Sequence, residues 1–308
     1  VYKRQLVTTL GFRDILELGR RDRPSMYGLT GVQRPLIPRD RRFEVPERID
    51  ASGEVVTPLD GTAIEALAPR LAALGVEAIV ISFLHAYANP VHELDAADRF
   101  SVLLPSLEVV CSHAVCNEYF EFERTSTAAV QGYLQPLVAG YGKRLTRALT
   151  QYGYVGQTLV MQSNGGVMPL AQIGARAANI VRSGPAAGVI AAARMGREAG
   201  FDHVITGDMG GTSYDVAVVV KGVPKVTRTT QLDFRIPLKL PMIDVHTIGA
   251  GGGSIAALDG AGILQVGPAS AGADPGPACY GRGGADATVT DANVVLGRID
   301  WRHPIGFE

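Results

Sequence analysis

The fold class that the sequence predicts is α/β. Apolar residues recur at helical spacing through Ile64, Leu67, Ala68, Leu71 and Leu74, and Gly75 closes the run. An unbroken apolar stretch follows, Ala78 to Leu84, which reads as a strand buried on both faces. Asn89-Pro90 marks a turn, His92 to Leu104 a second helix, and Leu107 to Cys111 a second strand. Helices alternating with buried strands argue for a layered sheet with parallel pairing. The chain has 308 residues, 46% of them hydrophobic, enough for one large domain or two ordinary ones with real cores.

Bulk properties exclude several function classes. A net charge of −1 gives no footprint for nucleic acid or an anionic membrane. No apolar run reaches the roughly 20 residues of a membrane helix, and no secretory signal opens the sequence. Three cysteines, an odd number, fit a reducing, cytoplasmic compartment. Cys111 and Cys116 have no partner set at zinc spacing and read as structural thiols.

The first 58 residues are basic and proline-punctuated. Arg34 to Arg48 is expected to be extended and solvated. Thr8 to Asp14 leads into a short capped helix at Ile15, Leu16 and Leu18. His85 and His92, between strand and helix, are expected to be structural. The longest helix is expected over 122–150. One face carries Val130, Tyr133, Leu134, Leu137, Val138, Tyr141, Leu145 and Leu149, with a kink or break at Pro136. The acids and hydroxyls at its start, Glu121, Glu123 and Thr125 to Thr127, are those that helix N-termini attract.

The 37 glycines cluster in the second half. Leu159 to Gln162 reads as a strand before Ser163-Asn164-Gly165-Gly166. Ser183-Gly184-Pro185 opens an alanine-rich helix, 186–199, either as a plain cap or as a phosphate-holding N-terminus. His203 to Val220 is the most informative stretch. Two strands flank Asp208-Met209-Gly210-Gly211-Thr212-Ser213-Tyr214-Asp215, and Lys225 to Thr229 is expected to add a third. Paired glycines let backbone N–H groups approach phosphate oxygens, and Thr212 and Ser213 add hydroxyl donors. Asp208 is placed to hold Mg²⁺. A second loop, Ile248 to Ser254, has four glycines in five residues, suited to close approach to a nucleotide or to another strand. A hairpin follows it, and no Gly-Lys-Ser/Thr occurs, so neither a dinucleotide fingerprint nor a P-loop is present. Asp244 and His246 lie two apart on a strand and face one side. Two readings stand. With His113 or Asp274 they hold a further divalent metal, or they form an ordinary hydrogen-bonded pair.

Together these motifs resemble the hydantoinase A / 5-oxoprolinase family. The resemblance rests on GDMGGTSYD (207–215), DVHTIGAGGGSIA (244–256), GADPGPACYGRGG (272–284) and TVTDANVVLGRI (288–299). SGPAAGVIAAA (183–193), EFERTSTAAVQGYL (121–134), TTLGFRDILELGR (8–20) and FLHAYANPVHE (83–93) agree with it. Only Val1 to Gln5 falls outside. The resemblance implies an actin-, sugar-kinase- and chaperone-ATPase-like (ribonuclease H-like) fold, here incomplete at both ends. Residues 1–118 are then the remainder of an N-terminal domain and 119–308 a hydantoinase A domain. It implies ATP-dependent ring opening of a cyclic amide through phosphorylation of the amide oxygen, or activation of a ketone or bicarbonate by a related carboxylase subunit. A non-catalytic ATP-binding module is the other class. ATP and Mg²⁺ are the implied cofactors, with a hydantoinase B-type subunit as partner. The family pattern maps a phosphate hairpin onto Asp208, Gly210, Gly211, Thr212, Ser213 and Asp215, with Asp208 and Asp215 as catalytic acids. Gly249, Gly251, Gly252 and Gly253 fall on the adenosine side. The family's first such hairpin has no counterpart in this sequence, so ATP turnover by the chain alone is not expected.

Overall fold

A computed structural model describes residues 3–20, 27–28, 35–232 and 236–302. The chain divides into two compact units. The first is 1–183 with 227–242, and the second is 184–226 with 243–308.

The first unit is built on a four-stranded parallel sheet. Its strands are β1 (Arg4–Thr9), β2 (Arg42–Val45), β3 (Ala78–Ser82) and β4 (Glu108–Cys111), in the order β2-β1-β3-β4. The ladder pairs Leu6 with Arg42, Leu6 with Val80, and Val80 with Val110. Helix α1 (Gly61–Ala73) starts where the Asp60 carboxylate accepts from the N–H groups of Thr62 and Ala63. It and α2 (Val91–Leu103) cover one face, where Val7, Ile79 and Ile81 pack on Ile64, Leu71 and Phe100. The other face buries Leu6, Val80 and Val110 against Ala128 and Ala129 of α3 (Glu121–Gln151). Burying each such aliphatic side chain contributes about 1.5–3 kcal/mol.

The alternation of helices and parallel strands is therefore as the sequence predicts, with three corrections. Arg4 and Gln5, outside the resemblance, begin β1, and Gln5 is fully buried. Val1 and Tyr2 lie outside the described residues. The basic segment, whose Arg34 also lies outside them, is not a solvated strap, because residues 42–45 join the sheet. The Arg42 side chain is wholly enclosed, donating to the carbonyls of Ile37 and Arg13. Helix α3 runs unbroken past Pro136, and Tyr133, Leu137 and Tyr141 of its expected apolar face are exposed. Its first turns bury polar side chains instead, from Glu123 to Thr127 with Gln131 and Gln135.

The second unit packs α4 (Ser183–Glu198) on an antiparallel sheet. β5 (Val204–Met209) and β6 (Tyr214–Val220) form a hairpin, and β7 (Val245–Ile248) pairs the other side of β6. The core is Ala186, Val189 and Ala193 of the helix against Ala217, Val219, Ile243 and Val245. The strand expected over Lys225 to Thr229 is seen at Val226–Thr227, but Val223–Pro224 is what pairs with β6. β8 (Ser254–Leu258) and β9 (Leu264–Ser270) form a second hairpin. Helix α5 (Val289–Val295) closes the described part, capped by reciprocal bonds between Thr288 and Asp291.

Candidate functional site

Strand parity decides which side chains meet in the second unit. In the hairpin Val219 opposes Val204, Ala217 opposes Thr206, and Asp215 opposes Asp208. Side chains two apart share a face. The two aspartates therefore continue the row of Val219 and Ala217 that packs on α4. They line a 370 Å³ cavity with Thr206, Val245, and Pro185 and Gly188 from the first turns of the helix. Carboxylates facing the start of a helix define a polar pocket where an N-terminal dipole favours anions. Thr247, opposite Asp215 on β7, donates its hydroxyl to the Asp215 carboxylate at 2.6 Å. Asp208 is exposed, and its carboxylate makes no ion pair or hydrogen bond among the described residues.

The hairpin tip is Gly210 to Ser213. The Gly210 N–H donates to the Ser213 carbonyl at 2.8 Å, closing the turn. The N–H groups of Gly211, Thr212 and Ser213 have no acceptor among the described residues. Three neighbouring donors, with Gly211 and Thr212 exposed and Ser213 half-buried, suit an anion. The second glycine loop packs directly onto this tip. The Gly252 and Gly253 N–H groups donate to the carbonyls of Gly210 and Gly211 at 2.8 and 2.6 Å. A Cβ on Gly251 would stand 2.5 Å from the Ser213 nitrogen. Gly252 is closed off by Thr290, whose hydroxyl and N–H both donate to its carbonyl. Of the two roles read for this loop, close approach to another strand is the one seen at Gly251, Gly252 and Gly253. Gly249 alone of the four has open space around its Cβ position.

Among the described residues, Asp244, His246 and Asp274 of the second unit form no metal-ligand cluster. Asp244 is ion-paired to Lys225 at 2.9 Å. His246 opposes Val216 and is exposed, one residue out of parity with the Val245–Thr247 row, so it faces away from Asp208 and Asp215. Asp274 makes no cluster with either. His113 belongs to the first unit, where its Nδ1 meets Glu93 at 2.6 Å. The one triad of potential ligands within 4.8 Å of one another among the described residues is Glu93, Cys111 and His113. Glu93 there already accepts from the N–H groups of Phe83 and His113, from Ser112 and from the His113 ring. Burial, then the charge of Glu93, pushes the Cys111 thiol up to about 12.

Sequence reasoning missed the buried polar network at the carboxyl ends of β1, β3 and β4. Glu47, buried, accepts from the Thr9 hydroxyl and the His92 ring. Arg124, fully buried, donates to Ser112 Oγ at 3.0 Å, to the carbonyls of Glu118 and Phe83 at 2.9 and 2.6 Å, and to the Glu121 carboxylate. Loss of solvent holds the Glu121 carboxyl above its usual range, against the pull of Arg124. The hydroxyls expected at the helix start serve tertiary contacts: Thr125 meets Ser82, and Ser126 donates to the Pro237 carbonyl. The polar run Glu121 to Thr127, amphipathic on no face, was the available signal.

Comparison with known proteins agrees with this architecture. Residues 124–304 match the family described as hydantoinase/oxoprolinase, and residues 2–102 match its N-terminal region. The chain belongs to the hydantoinase/oxoprolinase family. An uncharacterised protein of Methanocaldococcus jannaschii is 41% identical over 306 residues, covering 96% of this chain and 45% of the relative. Caprolactamase subunit alpha of Pseudomonas jessenii is 41% identical over 297 residues, covering 96% of this chain and 42% of the subunit. The crystal structure of ATP-dependent caprolactamase from that organism superposes with a TM-score of 0.80 at 38% identity, over 97% of this chain and 43% of the other. Nucleotide-free acetone carboxylase gives 0.79 at 28% identity, over 97% and 44%. The chain shares the ATPase-like α/β fold of these enzymes, and it spans less than half the length of these relatives.

Proposed function

We propose that this chain supplies the phosphate-binding part of an ATP-dependent enzyme that opens a cyclic amide. The observation that carries the reading is the pairing of Asp208 and Asp215 beside the start of α4, next to three unpartnered N–H groups at the tip. The residues fit Mg-ATP, because Asp208 is an exposed carboxylate with no partner among the described residues and the tip offers donors without acceptors. Bound Mg²⁺ would supply charge neutralisation at the phosphoryl oxygens. The chain's own part is positioning and electrostatics. The amides of Gly211 to Ser213 would bind phosphate oxygens, Asp208 would hold the metal directly or through water, and Asp215, fixed by Thr247, would orient a water beside it. Transfer of the terminal phosphoryl group of ATP to the amide oxygen releases ADP and makes the carbonyl carbon electrophilic; water adds there, the ring C–N bond breaks with the nitrogen taking a proton, and a second water frees phosphate from the acyl phosphate left behind.

The caprolactamase relative, an ATP-dependent enzyme by name, supports a lactam as the substrate class. The likeness to acetone carboxylase supports the second reading, activation of a ketone or bicarbonate on the same phosphate site. The relative named as a subunit supports a partner chain, for which we infer a hydantoinase B type. A cytoplasmic location fits three free thiols, and no described helix is long and apolar enough to cross a membrane. The test is a chimera in which this chain replaces the matched region of caprolactamase subunit alpha. ATP-dependent lactam opening is expected, with a loss of roughly 100-fold or more in the Asp208→Asn form. Activity of the Asn form near the parent level would refute the assignment, and carboxylation without lactam opening would select the second reading.

A further inference from the structure

His85 is one of three non-glycine residues with positive φ among those described, at +56°. That conformation is strained for an L-residue and persists only where the surroundings impose it. Here they do so with unusual completeness. The Phe83 N–H donates to Glu93 at 3.0 Å, and the Phe83 carbonyl accepts from Arg124 at 2.6 Å. The Leu84 N–H donates to Thr9 Oγ1 at 3.0 Å, and the His85 N–H to Glu121 Oε1 at 3.1 Å. Four side chains from three segments, β1, α2 and the start of α3, thus hold three consecutive residues just past the end of β3. Three of them, Glu93, Arg124 and Thr9, are buried, and behind Thr9 stands the buried Glu47–His92 pair. A hydrophobic loop needs no such apparatus to stay folded. What it fixes is the imidazole of His85.

That imidazole is half-buried. Its Nδ1 lies 3.4 Å from the Tyr87 hydroxyl, and Nε2 has no partner among the described residues. Glu121 stands beside it, with about a fifth of its side chain exposed. Tyr87 packs edge-on to His85 and to Tyr119, and Tyr119 lies against Phe120. Tyr119 and Phe120 are 58% and 41% exposed, so the aromatic surface is open. Lys239 is committed to Glu118 and to the two rings, and Arg20, over the Phe120 ring, is committed to Glu123. The patch also lies outside the carboxyl ends of parallel strands, where open α/β sheets take their ligands.

We infer that His85 and Glu121 form a binding subsite for the amide of a cyclic substrate, an inference that rests on the lactam reading above. A lactam is locked as a cis amide, so its C=O and N–H point to the same side. His85 donates to the carbonyl oxygen, the Glu121 carboxylate accepts from the ring N–H, and Tyr87, Tyr119 and Phe120 flank the methylenes. His85 and Glu121 are ligand-contacting groups here. Arg124, Glu93 and Thr9 are positioning groups that act through the 83–85 backbone.

The test uses backbone amide NMR of the chain with caprolactam and with N-methylcaprolactam, which keeps the carbonyl but lacks the N–H. Caprolactam is expected to shift Tyr87, Tyr119 and Glu121. The N-methyl compound is expected to bind roughly tenfold or more weakly, for loss of a hydrogen bond to a charged acceptor. His85→Gly relieves the backbone at no steric cost, so it is expected to melt at or above the wild-type temperature while losing the caprolactam shifts. Equal binding by His85→Gly, equal binding of the two lactams, shifts confined to another region, or no shifts at all would overturn the subsite. A parallel titration with Mg-ATP reads Gly210 to Tyr214. Nucleotide shifts there without lactam shifts at 85–121 would sink this inference and leave the phosphate site standing, whereas the reverse would sink the phosphate site.

Discussion

Replacing Arg124 by Met should show how much of the first unit rests on one buried charge. The side chain is fully enclosed and its bonds tie Ser112, Glu118, Phe83 and Glu121 to the start of α3. Methionine fills similar length but leaves the Phe83 carbonyl and the Glu121 carboxylate without their donor. Removing one partner of a buried pair costs about 3–5 kcal/mol, because the remaining charge stays desolvated. Glu121 keeps some exposure, which places the expected loss toward the lower end of that range. Lysine should rescue little, since one ammonium cannot reproduce the fan of the guanidinium. The assay is denaturant-dependent amide exchange at Val80 and Ile81 in β3, which reports the first unit alone. A loss below about 1 kcal/mol would refute the view that Arg124 clamps these loops.

Gln5 is wholly buried in β1 and neither end of its amide has a partner among the described residues; Gln5→Met is expected to stabilise the chain by about 1–3 kcal/mol, seen as a higher melting temperature, and a lower one would contradict the burial argument. Gly251→Ala is expected to destabilise the second unit by about 1–3 kcal/mol, because backbone of Thr212 and Ser213 occupies the Cβ position, whereas Gly249→Ala should be near neutral; equal unfolding midpoints would refute the packing. Cys279 is exposed, but partial burial and the nearby Asp291 carboxylate push its thiol up to about 11, so iodoacetamide should label it slowly at pH 8, and faster in the Asp291→Asn form. Asp291 itself is held down to about 2: partial burial opposes this, and bonds from Cys279 and Thr288 outweigh it. Its capping contribution is present above the unfolded carboxyl range and lost as pH falls through about 2, so fraying of α5 already at pH 4 would contradict the cap.

The sequence reads most plainly where local rules and tertiary structure agree. The parallel sheet was visible in the Ala78–Leu84 run, because a strand covered on both faces must be apolar throughout. The 208–215 hairpin was visible in its glycines and acids. The buried face of α3 was not, because periodicity finds apolar stripes, and this helix buries Arg124, Thr125, Ser126 and Gln131 through bonds to distant residues. The same limit hid the strain at His85, which arises from Thr9, Glu93 and Glu121, far apart in sequence. The glycines of 249–253 could be read as touching a ligand or the chain, and only the contact with Thr212 and Ser213 separates the two.

The central claim is that phosphate binds at the tip beside Asp208. The most direct measurement is the map of backbone amide shifts on adding ATP, with and without Mg²⁺, to wild type and to Asp208→Asn. Gly211, Thr212 and Ser213 should move most, and the response should weaken sharply without Mg²⁺ or in the Asn form. Shifts that ignore both Mg²⁺ and Asp208, or that leave these three amides unmoved, would contradict it.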